Sequence, residues 1–245
     1  MKKGIDVSKH NGVIDFQKVK AAGYDFVIIR AGYGKSATQK DTMFDLNYAK
    51  AKAAGLDVGA YWYSYAMSFD EGRAEAMACL DVIKGKQFEY PIYFDLEEPK
   101  QFVKGKDFCS QLVRTFCTVI EDAGYWAGLY TSKSYLTTHI DAATANKYAL
   151  WVAQWAAKCT YTGSYGMWQK SETGKVNGIN GNVDLDECYL DYPSFIKTRG
   201  LNGFSKIPTP VTLKTEYHVM LRFEDEEKAR AAALLFGAEV QTIQT

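Results

Sequence analysis

The chain has 245 residues, 47% of them hydrophobic and 14% aromatic, and its 29 basic and 29 acidic residues cancel to a formal charge of zero. That length suffices for one barrel-sized core, and the balanced charge offers no net field to attract nucleic acid or anionic lipid. Five cysteines (Cys79, Cys109, Cys117, Cys159, Cys188), odd in number and widely spaced, argue against a disulfide framework or a zinc ribbon and point to a reducing compartment.

Met1-Lys-Lys leads directly into Gly-Ile-Asp-Val-Ser with no apolar signal region, and no run approaches the roughly eighteen apolar residues of a membrane span. Synthesis in the cytoplasm, without a signal peptide, is therefore expected. A first strand is expected near 5–8. Asp6 and Ser8, two apart, would share one face of it; Asp6 fits a turn cap as well as a site carboxylate. Amphipathic segments closed by glycine then alternate with apolar strands: 25–31 after Gly23, 57–64 after Gly55, 90–97 after Gly85 and 126–131 after Gly124. Strands alternating with helices predict a parallel sheet. Gly32-Tyr-Gly34-Lys-Ser-Ala37 has the look of a phosphate loop, but the first required glycine would fall at Ile29, so a barrel loop is the better reading.

The fourth strand is the most informative. Tyr90-Pro-Ile-Tyr-Phe-Asp-Leu-Glu97 is an apolar run ending on two carboxylates, with Tyr93, Asp95 and Glu97 on one face and Phe94 and Leu96 on the other. Paired carboxyl groups at a barrel mouth suit glycoside hydrolysis, one as acid and one as nucleophile or charge stabiliser. A spacing of two in sequence leaves their separation, and hence the stereochemical outcome, open. After Ala157 the long helical patterns stop, and aromatic-rich strands near 148–154, 165–169 and 183–189 follow one another closely. The last ends on Asp184 and Asp186, either of which could join the acids. His10, His139 and His218 are isolated, so neither metal chemistry nor a catalytic triad is expected, and no cofactor is implied.

Asp6-Val-Ser-x-x-Asn-Gly12, Phe26-Val-Ile-Ile-Arg30, Gly59-Ala-Tyr-Trp-Tyr-Ser64, Asp95-Leu-Glu97, Leu150-Trp-Val-Ala-Gln154, Trp168-Gln169 and Val183-Asp-Leu185 together resemble glycoside hydrolase family 25, the N-acetylmuramidase lysozymes that include many phage endolysins. The resemblance covers residues 3–195. It implies an α/β fold, an irregular (β/α)5(β)3 TIM-like barrel, and cleavage of the β-1,4 bond between N-acetylmuramic acid and N-acetylglucosamine in bacterial peptidoglycan. On this mapping Glu97 is the general acid, Asp95 stabilises charge or orients the N-acetyl group, and Asp6 and Asp184 complete the cluster. Asp184 is preferred to Asp186 because it holds the family's Val-Asp place. Arg30, Tyr61, Tyr63, Tyr130, Trp151, Gln154, Trp168 and Gln169 are the implied sugar contacts. Trp62 departs from the family, where many members carry His, and is expected to alter a sugar contact. The cell wall is the implied site of action, reached by holin-type release or lysis.

A catalytic barrel is thus expected over 1–198, a Gly- and Pro-rich linker over 199–212, and a small βαβ module over 213–245. The module resembles a sporulation-related peptidoglycan-binding repeat and is read as a wall-binding or self-association element. Two other functions remain open: a chitinase-type glycosidase, whose longer Asp-rich motif is missing here, and a wall-binding protein without turnover.

Overall fold

The structure, a computed structural model, describes residues 1–206. The expected βαβ module and the end of the expected linker lie outside the described residues. Eight strands close into a barrel in sequence order: β1 (Lys2–Val7), β2 (Phe26–Tyr33), β3 (Asp57–Tyr63), β4 (Ile92–Asp95), β5 (Ala127–Ser132), β6 (Ala149–Ala153), β7 (Met167–Gly174) and β8 (Val183–Cys188). Neighbours from β1 to β7 run parallel, whereas β8 is antiparallel to both β7 and β1. Helices fill the first five crossovers: α1 (Phe16–Ala21), α2 (Phe44–Ala53), α3 (Phe69–Ile83), α4 (Pro99–Phe102) with α5 (Lys106–Asp122), and α6 (Lys133–His139) with α7 (Ala142–Lys147). No helix separates β6, β7 and β8, so the barrel is the irregular (β/α)5(β)3 form that the family resemblance implies and its final third is strand-rich, as the sequence rhythm predicts. α8 (Tyr192–Arg199) follows the last strand.

The strands are apolar on both faces because helices cover one and the barrel interior the other. Outward residues Phe94 and Leu96 are fully buried beneath the helices, and the Phe94 ring lies 4.5 Å from Phe116 of α5. That helix buries Cys109, Leu112, Val113, Phe116, Cys117 and Ile120, a stripe at helical spacing. Inside, large side chains sit opposite glycines. A Cβ on Gly4 would come within 2.2 Å of the Phe26 ring, and one on Gly128 within 2.5 Å of Tyr93. Phe26 stacks on Tyr90 at 4.3 Å, which in turn meets Tyr192 of α8 at 5.7 Å. Aromatic rings therefore plug the barrel at the N-terminal ends of the strands, leaving the opposite mouth for polar groups.

Strand β4 is shorter than predicted, 92–95, so Glu97 lies two residues past its end. Pro99 at the first turn of α4 diverts the chain there. The direction of Trp62 corrects an expectation. It lies on the outward face of β3, fully buried, with its indole N–H donating to the Gly34 carbonyl at 2.8 Å. A side chain facing the helices cannot touch a sugar in the mouth.

The first residues of the expected linker are instead packed on the barrel. α8 runs through Arg199, and Gly200 caps it in the left-handed region at φ 66°. Asn202 is then locked under the barrel. Its side chain accepts from the Trp126 amide (2.6 Å) and donates to the Tyr90 carbonyl (2.8 Å), while its backbone pairs with Gly124 and Phe88. Among the described residues no helix is long and apolar enough to cross a membrane.

Candidate active site

Strand register assembles the site. In the antiparallel pair of β1 and β8, residues directly opposite share a face, and here Asp6 faces Asp184 while Gly4 faces Asp186. In the parallel run, Tyr63 pairs with Asp95 and Asp95 with Tyr130. Asp6, Asp95, Asp184 and Asp186 therefore converge inside one mouth, with Glu97 on the loop just above Asp95. Asp6, Asp95 and Asp186 are buried; Glu97 and Asp184 are half-buried and nearer solvent.

The donors among them are mostly neutral. Gln169 Nε2 donates to Asp6 Oδ2 at 2.8 Å. The Gln169 Oε1 accepts from the Tyr130 hydroxyl and the Trp155 indole, both at 3.0 Å, which fixes the orientation of the amide. Trp151 Nε1 donates to Asp186 Oδ1 at 2.8 Å. Two carboxylate oxygens, Asp95 Oδ1 and Asp186 Oδ2, are buried without a partner.

Crowding and burial raise every proton affinity in the cluster. Burial, then the charge of Glu97, holds the Asp95 carboxyl well above its ordinary range, with Arg30 opposing. Burial, then Asp184 and Glu98, raises Glu97. Asp184 is pushed up to about 6, by burial first and Glu172 second. Asp6 is raised by burial and by Asp186 and Asp184, with Gln169 opposing. Asp186 is raised chiefly by burial, against its bond from Trp151. Such a site favours the protonated form of its acids more than water does, which suits the donation of a proton to a basic leaving group.

The expected sugar contacts divide into three groups. Tyr61 and Tyr63 line the mouth, half-buried, and Tyr63 leans on the exposed Tyr65 (ring centroids 4.8 Å apart), which meets Tyr33 edge-on at 6.2 Å. Tyr130, Trp151 and Gln169 face the interior but are nearly covered, and they hold the acids in place. Trp168, Gln154 and Arg30 are placed otherwise than expected. Trp168 points outward, buried, with its indole N–H on the Gln154 carbonyl at 2.7 Å. The Gln154 side chain lies beyond β6 and ties the loop at Thr160, donating to its hydroxyl at 3.0 Å and accepting from its amide at 2.8 Å. Arg30 is engaged by Asp41, with Nε and one terminal nitrogen each 2.7 Å from Oδ2.

Sequence reasoning missed Trp155, exposed beside the cluster with its indole tied to Gln169; an aromatic directly after a barrel strand was the available signal. It also missed Asp41 and Glu75. Neither sits in a recognisable pattern, because each is a single acid on a loop or helix whose role depends on what packs above it.

The family model described as "Glycosyl hydrolases family 25" matches residues 5–179. The chain belongs to this family. It is 32% identical over 186 residues to the autolytic lysozyme of Clostridium acetobutylicum, an alignment covering 76% of this chain and 55% of that protein. The chain thus spans little more than half the length of that relative. Among solved structures, the CTP1L endolysin superposes with a TM-score of 0.71 at 27% identity, covering 81% of this chain and 70% of that one. The modular autolysin LytC of Streptococcus pneumoniae, solved in complex with a synthetic peptidoglycan ligand, gives 0.68 at 28% identity, covering 77% of this family 25 chain and 46% of its own.

Proposed function

We propose that this family 25 chain is a muramidase that hydrolyses the β-1,4 bond between N-acetylmuramic acid and N-acetylglucosamine in bacterial peptidoglycan. The observation that carries the reading is the half-buried Glu97, its proton affinity raised by burial and by Asp184, beside the buried Asp95 at the open end of the barrel. The likeness to a lysozyme and to an autolysin solved with a peptidoglycan ligand supports the choice of substrate.

In this reading Glu97 gives its proton to the glycosidic oxygen as that bond breaks. Positive charge then develops at the anomeric carbon. Asp95, Asp6 and Asp184 stabilise it from inside the mouth, and Asp95 is placed to orient the N-acetyl group if that group attacks. Tyr61, Tyr63 and Tyr65 offer ring faces to sugars on one side, and Trp155 does so on the other. The proposed site of action is the cell wall, as for an endolysin. Residues 213–245 are proposed as a wall-binding or self-association module.

Digestion of purified peptidoglycan with wild type and Glu97→Gln, followed by reduction and mass spectrometry, tests this. New muramitol ends from wild type, with a loss of about a thousandfold or more in the variant, are expected. New glucosaminitol ends would move the cleaved bond, and no new ends on several wall types would overturn the reading.

A further inference from the structure

Glu97 has no clamp of its own. Among the described residues nothing hydrogen-bonds its carboxyl, whose surroundings are burial and the charges of Asp95, Asp184 and Glu98. Its position therefore depends on the backbone of 96–98, between the end of β4 and the start of α4. The near end is pinned where the Leu96 amide donates to the Tyr130 carbonyl and the Ser64 amide to the Asp95 carbonyl, both at 3.0 Å. The far end is held by Gln101, fully buried in α4 four residues after Glu97.

Gln101 commits both amide protons to the neighbouring loop. Its Nε2 donates to Ser64 Oγ at 2.8 Å and to the Ala66 carbonyl at 3.0 Å. A carbonyl can only accept, so the contact with Ala66 fixes which way round the amide lies. Oε1 is buried without a partner, and the amide is held by its nitrogen alone. Ser64 Oγ also accepts from the Ala66 amide at 3.2 Å, and Glu75 Oε1 accepts from the Tyr65 amide at 2.8 Å. Residues 64–66 are thus gripped from beneath, and the half-exposed Tyr65 stands on them. A second bond between the two segments, from Lys104 Nζ to the Met67 carbonyl at 2.6 Å, lies exposed. We propose that Gln101 is a positioning residue that locks the Glu97 loop to the Tyr63–Tyr65 platform, so that proton donor and ring faces meet one sugar chain in register. An acid displaced by about 1 Å loses much of its rate. The effect on rate rests on the reading of Glu97 as the general acid; the brace itself does not.

The full chain tests it with four variants and two readouts. Methionine matches glutamine in length and carries no donor. On solubilised peptidoglycan fragments, well below the melting temperature, Gln101→Met is expected to lower kcat about thirtyfold with KM within about threefold. Ser64→Ala spares the bond to Ala66 and should cost about fivefold in kcat. Lys104→Met, which removes the exposed bond, should keep kcat within about twofold. Asn202→Ala breaks two buried bonds at the opposite end of the barrel, so it should lower stability yet leave kcat within about twofold. Hydrogen–deuterium exchange read by mass spectrometry should be at least about fivefold faster at both 64–68 and 96–102 in Gln101→Met, and unchanged there in Asn202→Ala. Equal kcat losses in Gln101→Met and Asn202→Ala, or exchange that rises at one segment only, would overturn the proposal. If Gln101→Met does not fold, Ser64→Ala carries the same comparison. If wild type cleaves no peptidoglycan, the muramidase reading fails, and exchange alone decides whether the brace exists.

Discussion

Gln169 grips Asp6 across the one intervening strand β8, its Nε2 2.8 Å from Asp6 Oδ2 while Tyr130 and Trp155 pin its oxygen. One amide therefore connects an inner acid, a covered phenol and an exposed indole. Gln169→Leu removes all three bonds at once. It is expected to raise the proton affinity of Asp6 further and to lower kcat at least about tenfold. KM should rise as well, because Trp155 loses its tether. Steady-state kinetics on peptidoglycan fragments read both; an unchanged kcat would show that Asp6 needs no such support.

Asp184→Asn separates stability from chemistry. Because its folded proton affinity, about 6, lies above the ordinary aspartate value of 3.8, the stabilisation its proton provides is full below 3.8 and is lost as pH rises through 6. At pH 7.5 the asparagine variant should be more stable than wild type, by on the order of 1 kcal/mol once the partial exposure of the group is discounted. Melting curves at pH 4 and 7.5 should show the gain only at the higher pH. Removing this charge from beside Glu97 should also move the alkaline limb of the rate profile to lower pH.

Glu75 of α3 is buried beneath the loop that carries Tyr65, accepting from the Tyr65 amide at 2.8 Å. Burial, partly offset by bonds from Ser64 and Tyr65, pushes its carboxyl up to about 7. The proton's contribution is thus complete below the ordinary value of 4.5 and vanishes as pH rises through 7. Melting temperature should fall more steeply between pH 5 and 8 in wild type than in Glu75→Gln, with a differential on the order of 2–3 kcal/mol. Parallel curves would place the ionisation elsewhere.

Trp62→His tests whether this position touches substrate. Its ring fills the layer between barrel and helices, so the smaller, more polar residue should cost about 2–4 kcal/mol of stability and leave KM within about twofold. Urea denaturation gives the first quantity and kinetics the second. A raised KM at unchanged stability would reverse the assignment.

The barrel was readable because apolar runs and closing glycines recur at the βα period, and all eight predicted strands lie within a few residues of their observed positions. The face of Asp95 was likewise readable, since two-residue alternation at the end of a strand leaves little choice; alternation alone left Asp6 open to a capping role and did not choose between Asp184 and Asp186, which only the family resemblance separated. The same alternation decides between Trp168 and Gln169, because adjacent residues on a strand cannot both face the mouth, and the family pattern names both. Other features depend on partners distant in sequence. Nothing near Arg30 announces that Asp41 holds it, and nothing in a Gly- and Asn-rich stretch distinguishes Asn202, locked under the barrel, from a linker. Trp151 faces inward as its position implies, yet the rings of Tyr61, Tyr93 and Tyr130 pack around it and the indole is left to serve Asp186.

The antiparallel seam between β1 and β8 has a consequence for how the molecule comes into being. Asp6 emerges near the start of the chain and Asp184 near the end of the barrel, and only the final strand, zipped against the first, brings them face to face. That pairing is the most non-local in the fold and carries the largest loop-closure cost, so it is expected to form late in folding. Until the ring closes, the acids at its mouth remain scattered along separate strands with ordinary proton affinities. The proposed wall-cutting centre, assembled in this way, is expected to stay inert in nascent and half-folded chains.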